Sequence, residues 1–320
     1  MRSTVQDVLE KTGIMVIDGS MGFYLDALGC DLNDNIWTAK VLAERPDMVK
    51  QVHLGYFRAG ADCGITCSYQ ATIPGLMTKG YTESEAEDII ASAVRVFQDA
   101  RDQWWEEEGH AAGRAYPLCL ASVGPYGAYL ADGSEYRGNY RVSDQELREF
   151  HYRRMELLWN AGADILLMET QPSLREVLVE AKIAEELGAD YWVSFSCRDG
   201  SHTCEGDSIA QCAEALGTGH PHLRMVGVNC TFPQLIEPLI KEWRDNIDLP
   251  VAVYPNGSEG YDPQTKTWSN NVAASRWGEY ALRWMQDGAK AVGGCCGTLP
   301  EHIKEVAKAR EIFLKGKTAK

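Results

Sequence analysis

One junction recurs four times along the chain: RAGADCGITC (58–67), NAGADILLME (160–169), ELGADYWVSF (186–195) and QDGAKAVGGC (286–295). Each joins the end of a helical pattern to a short apolar run. The glycine suits the left-handed position that stops a helix. The run behind it, rich in Ile, Leu, Val and aromatics, suits a strand buried on both faces. Such helix-to-strand connections are what a parallel sheet covered by helices requires.

Apolar runs give eight strand candidates: Ile14–Asp18, Gly64–Ser68, Leu118–Val123, Ile165–Glu169, Tyr191–Ser196, Met225–Asn229, Val251–Tyr254 and Ala291–Gly294. Helical patterns lie between them, at Thr82–Trp105, Ser143–Ala161, Ser173–Leu187, Ser208–Leu216, Pro233–Asn246, Val272–Asp287 and Pro300–Leu314. In the first, Ile90, Val94, Phe97 and Arg101 fall at helical spacing, with Glu83, Glu85 and Glu87 near the start, where the helix dipole favours them. Ser143 and Ser173 suit N-caps, and Pro300 suits a first helical turn. Eight strand–helix units predict an α/β fold, a single (β/α)8 barrel over residues 1–320. A doubly wound open sheet is the alternative, weakened because no GxGxxG or GxxxxGK[ST] follows a strand. No linker or low-complexity segment divides the chain.

The formal charge of −15 argues against nucleic acid or an anionic membrane as partner. No apolar run approaches a membrane span, and Ile14–Ile17 is too short for a signal-peptide core. A cytoplasmic location with reduced thiols is the expectation for the ten cysteines. Cys63, Cys119 and Cys197 sit in or beside strand-like runs and read as small buried hydrophobes. Nothing in the sequence decides the oligomeric state.

In a barrel, chemistry gathers at the carboxyl ends of the strands. Here those ends carry Asp18 and Gly19 (DGSMG), Ser68, Tyr69 and Gln70 (CSYQAT), Glu169 (MET), Asn229 and Cys230 (VNC), Tyr254 and Asn256 (YPNG), and Cys295 and Cys296 (GGCC). A long loop, SVGPYGAYLADGSEYRGNY (122–140), follows the third strand. A carboxylate that ends a strand can simply cap a helix. Their joint placement on one rim argues for a site.

Successive side chains of a strand point to opposite faces, so Cys295 and Cys296 can share a ligand only if the strand has already ended. Gly293, Gly294 and Gly297 permit that. Cys230 ends a strand two steps away, roughly 10 Å at about 4.8 Å per step, a gap that barrel curvature and an inward lean could close. Three converging thiolates suggest zinc, and three ligands rather than four suggest an open position. Inert buried thiols and a strained redox pair are the alternatives. Zinc on three thiolates is a poor Lewis acid for carbonyl or water and is better suited to an incoming thiol. The residues therefore point to thiol activation followed by attack on an electrophilic carbon. Asp18 and Glu169 suit a cationic amine, and the loop with Tyr126, Tyr129, Tyr136 and Tyr140 suits a cationic methyl donor, although ordinary loop packing is the plainer reading of any one of them. A barrel zinc hydrolase is a rival, but it would favour His and carboxylate ligands. None of the seven histidines falls at these strand ends: His53, His110, His151 and His302 read as helix or surface residues, and His202, His220 and His222 as loop residues. A zinc-stabilised binding module with a closed site is a second rival.

DGSMG, GVNC and GGCCG resemble the hallmark segments of the homocysteine S-methyltransferase family, in order and spacing, over essentially the whole chain. SVGPYGAYLADGSEYRG is similar to the branch that uses S-methylmethionine, with S-adenosylmethionine as a second donor. The resemblance implies a zinc-bearing (β/α)8 barrel that methylates homocysteine to methionine, with one Zn2+ per chain on Cys230, Cys295 and Cys296. It implies substrate contacts from Asp18, Gly19, Ser68 and Glu169, and Asn229 joins them on the rim. The sequence has GS after Asp18 where many members have GA. With no cobalamin- or folate-binding extension, the cobalamin-dependent architecture is not expected. A selenocysteine- or betaine-type methyltransferase is the alternative within the family.

Overall fold

The computed structural model describes residues 3–34, 36–262 and 267–318. The predicted apolar runs become strands β1 (Met15–Val16), β2 (Cys63–Ile65), β3 (Leu118–Val123), β4 (Ile165–Gln171), β5 (Tyr191–Phe195), β6 (Leu223–Asn229) and β7 (Val251–Tyr254). An antiparallel hairpin follows, β8 (Ser258–Asp262) and β9 (Thr267–Asn271), and then β10 (Ala291–Val292). All but the hairpin pair in parallel, in the order β1-β10-β7-β6-β5-β4-β3-β2.

β1 and β2 flank the seam where the barrel closes, and side chains help to close it. The Asp62 amide donates to the Val16 carbonyl at 2.7 Å, and the Val16 amide donates to Asp62 Oδ2 at 2.9 Å. One turn of the ladder higher, the Ile65 amide donates to Asp18 Oδ2 at 2.9 Å. Carboxylates thus replace ladder carbonyls on strands of two or three residues. Asp62 is charge-balanced from outside by Arg114, at 3.2 Å, and by Arg310.

The pleat divides the strand residues between two cores. Met15, Ile17, Leu118, Leu120, Ile165, Leu167, Trp192 and Met225 fill the barrel. Val16, Cys119, Leu166, Met168, Val193 and Val226 pack outward against the helices. Helix Val5–Thr12, which the sequence reading does not anticipate, adds Val5 and Val8 to the inner core. The reading also names no helix between β1 and β2, where Met21–Ala27, Thr38–Glu44 and Pro46–Ala59 occur. Short elements broken by DLNDN and by Pro46 blur the helical period there.

All four junction glycines take positive φ, at 117° for Gly60, 99° for Gly162, 62° for Gly188 and 112° for Gly288. This is the left-handed stop that the repeated junction implied. Helix Glu83–Trp104 buries Ile90, Val94, Phe97 and Arg101 as expected. Ser143 caps its helix through a reciprocal bond with Glu146. Ser173 stands at the N-cap position, but its hydroxyl makes no capping bond. Asp207 takes the Leu174 amide instead, at 2.8 Å. Cys63, Cys119 and Cys197 are buried free thiols. No described helix is long and apolar enough to cross a membrane.

Candidate active site

β10 ends at Val292, three residues before the first of the paired cysteines, so Cys295 and Cys296 are free of the pleat's alternation. β6 ends at Asn229, and Cys230 follows with φ at 46°, a conformation that L residues other than Asn and Asp rarely adopt. The loop leaving β7, between these two chain ends, ties them together. The Asn256 amide donates to the Thr231 carbonyl at 3.0 Å, the Cys295 amide to the Pro255 carbonyl at 2.7 Å, and the Gly257 amide to the Cys296 carbonyl at 2.7 Å. A Cβ on Gly257 would stand 2.8 Å from the backbone of Gly297, so only glycine lets the two loops meet.

The roughly 10 Å strand-to-strand gap is closed by these loops. Cys230 Sγ lies 2.6 Å from Cys295 Sγ and 3.7 Å from Cys296 Sγ, and all three sulfurs lie within 4.8 Å of one another. Sulfurs sharing a tetrahedral zinc at ~2.3 Å would stand about 3.8 Å apart. The 3.7 Å separation matches that edge. The 2.6 Å separation is too close for unbonded sulfurs and longer than the roughly 2.05 Å of a disulfide, so this pair would open around an ion. Hydrogen bonds from Cys295 and Cys296 hold the Cys230 thiol well below its ordinary pKa, while the same contact pushes Cys295 up. Three soft donors thus crowd one point. That donor set fits a thiophilic cation, and no histidine belongs to it.

Two buried carboxyls stand beside the thiols. Asp18 uses Oδ2 for the seam, while Oδ1 is buried with no hydrogen-bond partner among the described residues. Burial raises its pKa well above the carboxylate range, and the Glu169 charge adds to this. Glu169 accepts a short bond from Ser122 Oγ. Burial pushes it up to about 8, against the Ser122 bond and with the Cys230 charge. Two buried acids of this kind favour a ligand cation that restores their charge.

The other rim residues serve more locally. Gly19 packs against Tyr56 and Thr298, where a Cβ would lie 2.8 Å from the Tyr56 hydroxyl. Ser68 donates to the Ser122 carbonyl at 2.7 Å and so reaches Glu169 through its neighbour. Asn229 accepts from the Thr170 amide and donates to the Thr170 hydroxyl, both at 2.8 Å. Thr170 has φ at 57°, and the Asn229 amide holds it there. Ser122 and Thr170 are residues the rim reading missed, although both sit at or beside the ends of strands it had placed. Of the loop tyrosines, Tyr126 and Tyr129 pack on Phe150, and Tyr140 donates to Glu176. Tyr136 alone stands against the thiols, beside Cys230 and Cys296.

A second group of potential ligands, His151, Glu176 and Glu180, lies fully buried between helices Asp144–Asn160 and Leu174–Leu187. Glu176 and His151 are matched by hydrogen bonds, and Glu180, whose two oxygens make none among the described residues, is answered by the charge of Arg154. His151 Nε2 lies 2.8 Å from Glu176 Oε1, which also accepts the Tyr126 amide at 2.6 Å. Arg154 lies 3.1 Å from His151 Nδ1, donates to the Gly124 carbonyl and faces the Glu180 charge. This cluster anchors the loop after β3.

Residues 15–310 match the family described as homocysteine S-methyltransferase. The homocysteine S-methyltransferase YbgG of Bacillus subtilis is 46% identical over 304 residues, 95% of this chain and 96% of that protein. The Escherichia coli homocysteine S-methyltransferase is 39% identical over 305 residues, 95% and 97% of the two chains. The metallated form of the Escherichia coli homocysteine methyltransferase MmuM superposes with a TM-score of 0.86 at 36% identity, covering 95% of this chain and 99% of that one.

Proposed function

This chain belongs to the homocysteine S-methyltransferase family and is a homocysteine S-methyltransferase, and from that premise we propose that it depends on zinc and takes its methyl group from S-methylmethionine, with S-adenosylmethionine as second donor. The observation that carries the zinc reading is the meeting of Cys230, Cys295 and Cys296 at one point beside two buried acids. The metallated form of MmuM supports a metal in such a barrel. When bound, zinc on three thiolates would lower the pKa of a substrate thiol while leaving its sulfur nucleophilic.

The chain's own residues then orient the reactants. Asp18 Oδ1 and Glu169 receive the homocysteine ammonium, which favours the ionised form of both acids. Gly19 lets the backbone of the β1 loop approach the substrate carboxylate. Ser68 and Ser122 fix Glu169, while Asn229 holds Thr170 and with it the end of β4. The substrate sulfur attacks the sulfonium methyl in line. A new S–CH3 bond forms as the donor's S–CH3 bond breaks, with its electron pair left on the departing thioether. The homocysteine thiol proton goes to solvent. With S-methylmethionine both products are methionine. Sulfonium cleavage is intrinsically favourable, so alignment and nucleophile activation are the protein's contribution.

The test is methionine formation from homocysteine with S-methylmethionine, S-adenosylmethionine and betaine in parallel, alongside metal analysis. S-Methylmethionine should be used fastest, with one zinc per chain. A faster reaction with betaine, or full activity after zinc removal, would contradict the reading.

A further inference from the structure

We propose that Glu135 is the counter-charge for the methyl donor, its carboxylate facing the onium centre above the thiols. The inference rests on the reading that the donor is an onium cation. It concerns a residue on the loop after β3 rather than on a strand end. That loop is anchored at its root by Glu176 and Arg154. Its far side crosses the barrel mouth. Ser196 Oγ, just past β5, donates to the Glu135 carbonyl at 3.1 Å, and the Asn139 amide donates to Glu205 at 3.1 Å. Glu135 is therefore held beside the end of β5, within electrostatic reach of Cys230 at the end of β6 and of Tyr69.

Its side chain is placed but not satisfied. Glu135 Oε2 is buried and has no hydrogen-bond partner among the described residues. A buried, ionised carboxylate in that condition is costly until a ligand supplies positive charge, and burial pushes the carboxyl up to about 7, toward its neutral form. The cation of the same loop, Arg137, is engaged by Asp132 and Ser134. An onium group carries no N–H, so it is recognised by charge and by aromatic faces rather than by hydrogen bonds. Tyr69 and Tyr136 supply such faces, both within reach of Cys230. The primary ammonium of the acceptor has a different address, at Asp18 and Glu169 inside the barrel mouth. The site thus holds two acidic subsites for two kinds of cation.

The test compares wild type with Glu135→Gln, which keeps shape and removes charge, and with Glu135→Asp. The wild type is first offered all three donors, and the one it uses serves for the variants. Use of S-adenosylmethionine alone would end the S-methylmethionine reading and leave the Glu135 test intact. Turnover of no onium donor would end both. In Glu135→Gln the donor KM should rise about tenfold or more, the loss expected for a hydrogen-bond-strength contact to a charged group. Homocysteine KM and zinc content should stay within error, the thermal midpoint of the ligand-free protein should not fall, and Glu135→Asp should recover part of the loss. An unchanged donor KM in Glu135→Gln would overturn the proposal. So would a rise in homocysteine KM of equal size, or loss of zinc, since either would put Glu135 in the acceptor or metal site.

Discussion

Among the described residues two trios of potential metal ligands lie in this barrel, and they have opposite characters. Cys230, Cys295 and Cys296 meet at the strand ends with their sulfurs facing one another, held by hydrogen bonds among the thiols themselves. His151, Glu176 and Glu180 meet between two helices with a guanidinium, a backbone amide and a phenol already supplied. Geometry alone would nominate both. The partners decide between them: three sulfurs answered by neutral hydrogen-bond donors leave room for a cation, and a set answered by Arg154 already has one. A cation site is recognised by what its ligands lack as much as by their spacing.

The contrast is sharpest in substitutions. Cys296→Ser should abolish zinc retention and lower activity by more than about 100-fold, since loss of outer-sphere partners alone costs 10–100-fold. Its thermal midpoint should barely move, because the barrel does not need the thiol to fold. An active, metal-free variant would break the comparison. Glu176→Leu should do the reverse. It leaves His151 Nε2, the Tyr126 amide and the Tyr140 hydroxyl without their partner and removes a carboxylate charge near buried Arg154, at a cost of about 3 kcal/mol readable in the urea midpoint. Zinc content should be unchanged, and loss of zinc would merge the two clusters into one system.

Smaller effects refine the account. Asp18→Asn can keep its bond from the Ile65 amide through the side-chain oxygen, which turns the side-chain NH2, a donor, toward the substrate ammonium. Homocysteine KM should rise about tenfold with donor KM unmoved, the scale of a lost charged hydrogen bond. A donor effect of the same size would erase the distinction between the acceptor and donor subsites. The pH response is smaller per step. Burial depresses His151 to about 4 and His53, whose ring nitrogens have no hydrogen-bond partner among the described residues, to about 3. From pH 6.5 down to those values the unfolded chain binds protons that the folded chain refuses, so stability is fully present above 6.5 and falls as pH drops. Each histidine contributes up to about 1.4 kcal/mol per pH unit in that window. His53→Leu should remove one of the two contributions, and an unchanged acid slope would show that His53 is not neutral in the fold.

The same contrast explains what was legible in the sequence. Strand ends can be counted from apolar runs, and a barrel puts strand ends together, so Asp18, Glu169 and the three cysteines could be named as neighbours before any coordinates. Asn229 was equally visible, but its engagement with Thr170 was not, because the positive φ of Thr170 leaves no trace in residue type. The anchor at His151 and Glu176 was hidden for another reason. It joins two helix faces to a loop, and the spacing of residues on separate helices says nothing about which of them meet. Glu135 lay in a loop whose tyrosines drew attention to aromatic packing, whereas the structure puts only Tyr136 of those four at the thiols. Helices between β1 and β2 were unread because short, polar-broken segments carry little periodic signal.

X-ray absorption at the zinc edge of the purified chain tests the central claim most directly, because it reads the identity of the ligands. Three sulfur scatterers at ~2.3 Å, with a fourth appearing when homocysteine is added, is the result expected. Nitrogen and oxygen scatterers in place of sulfur, or no change on adding the thiol substrate, would contradict it.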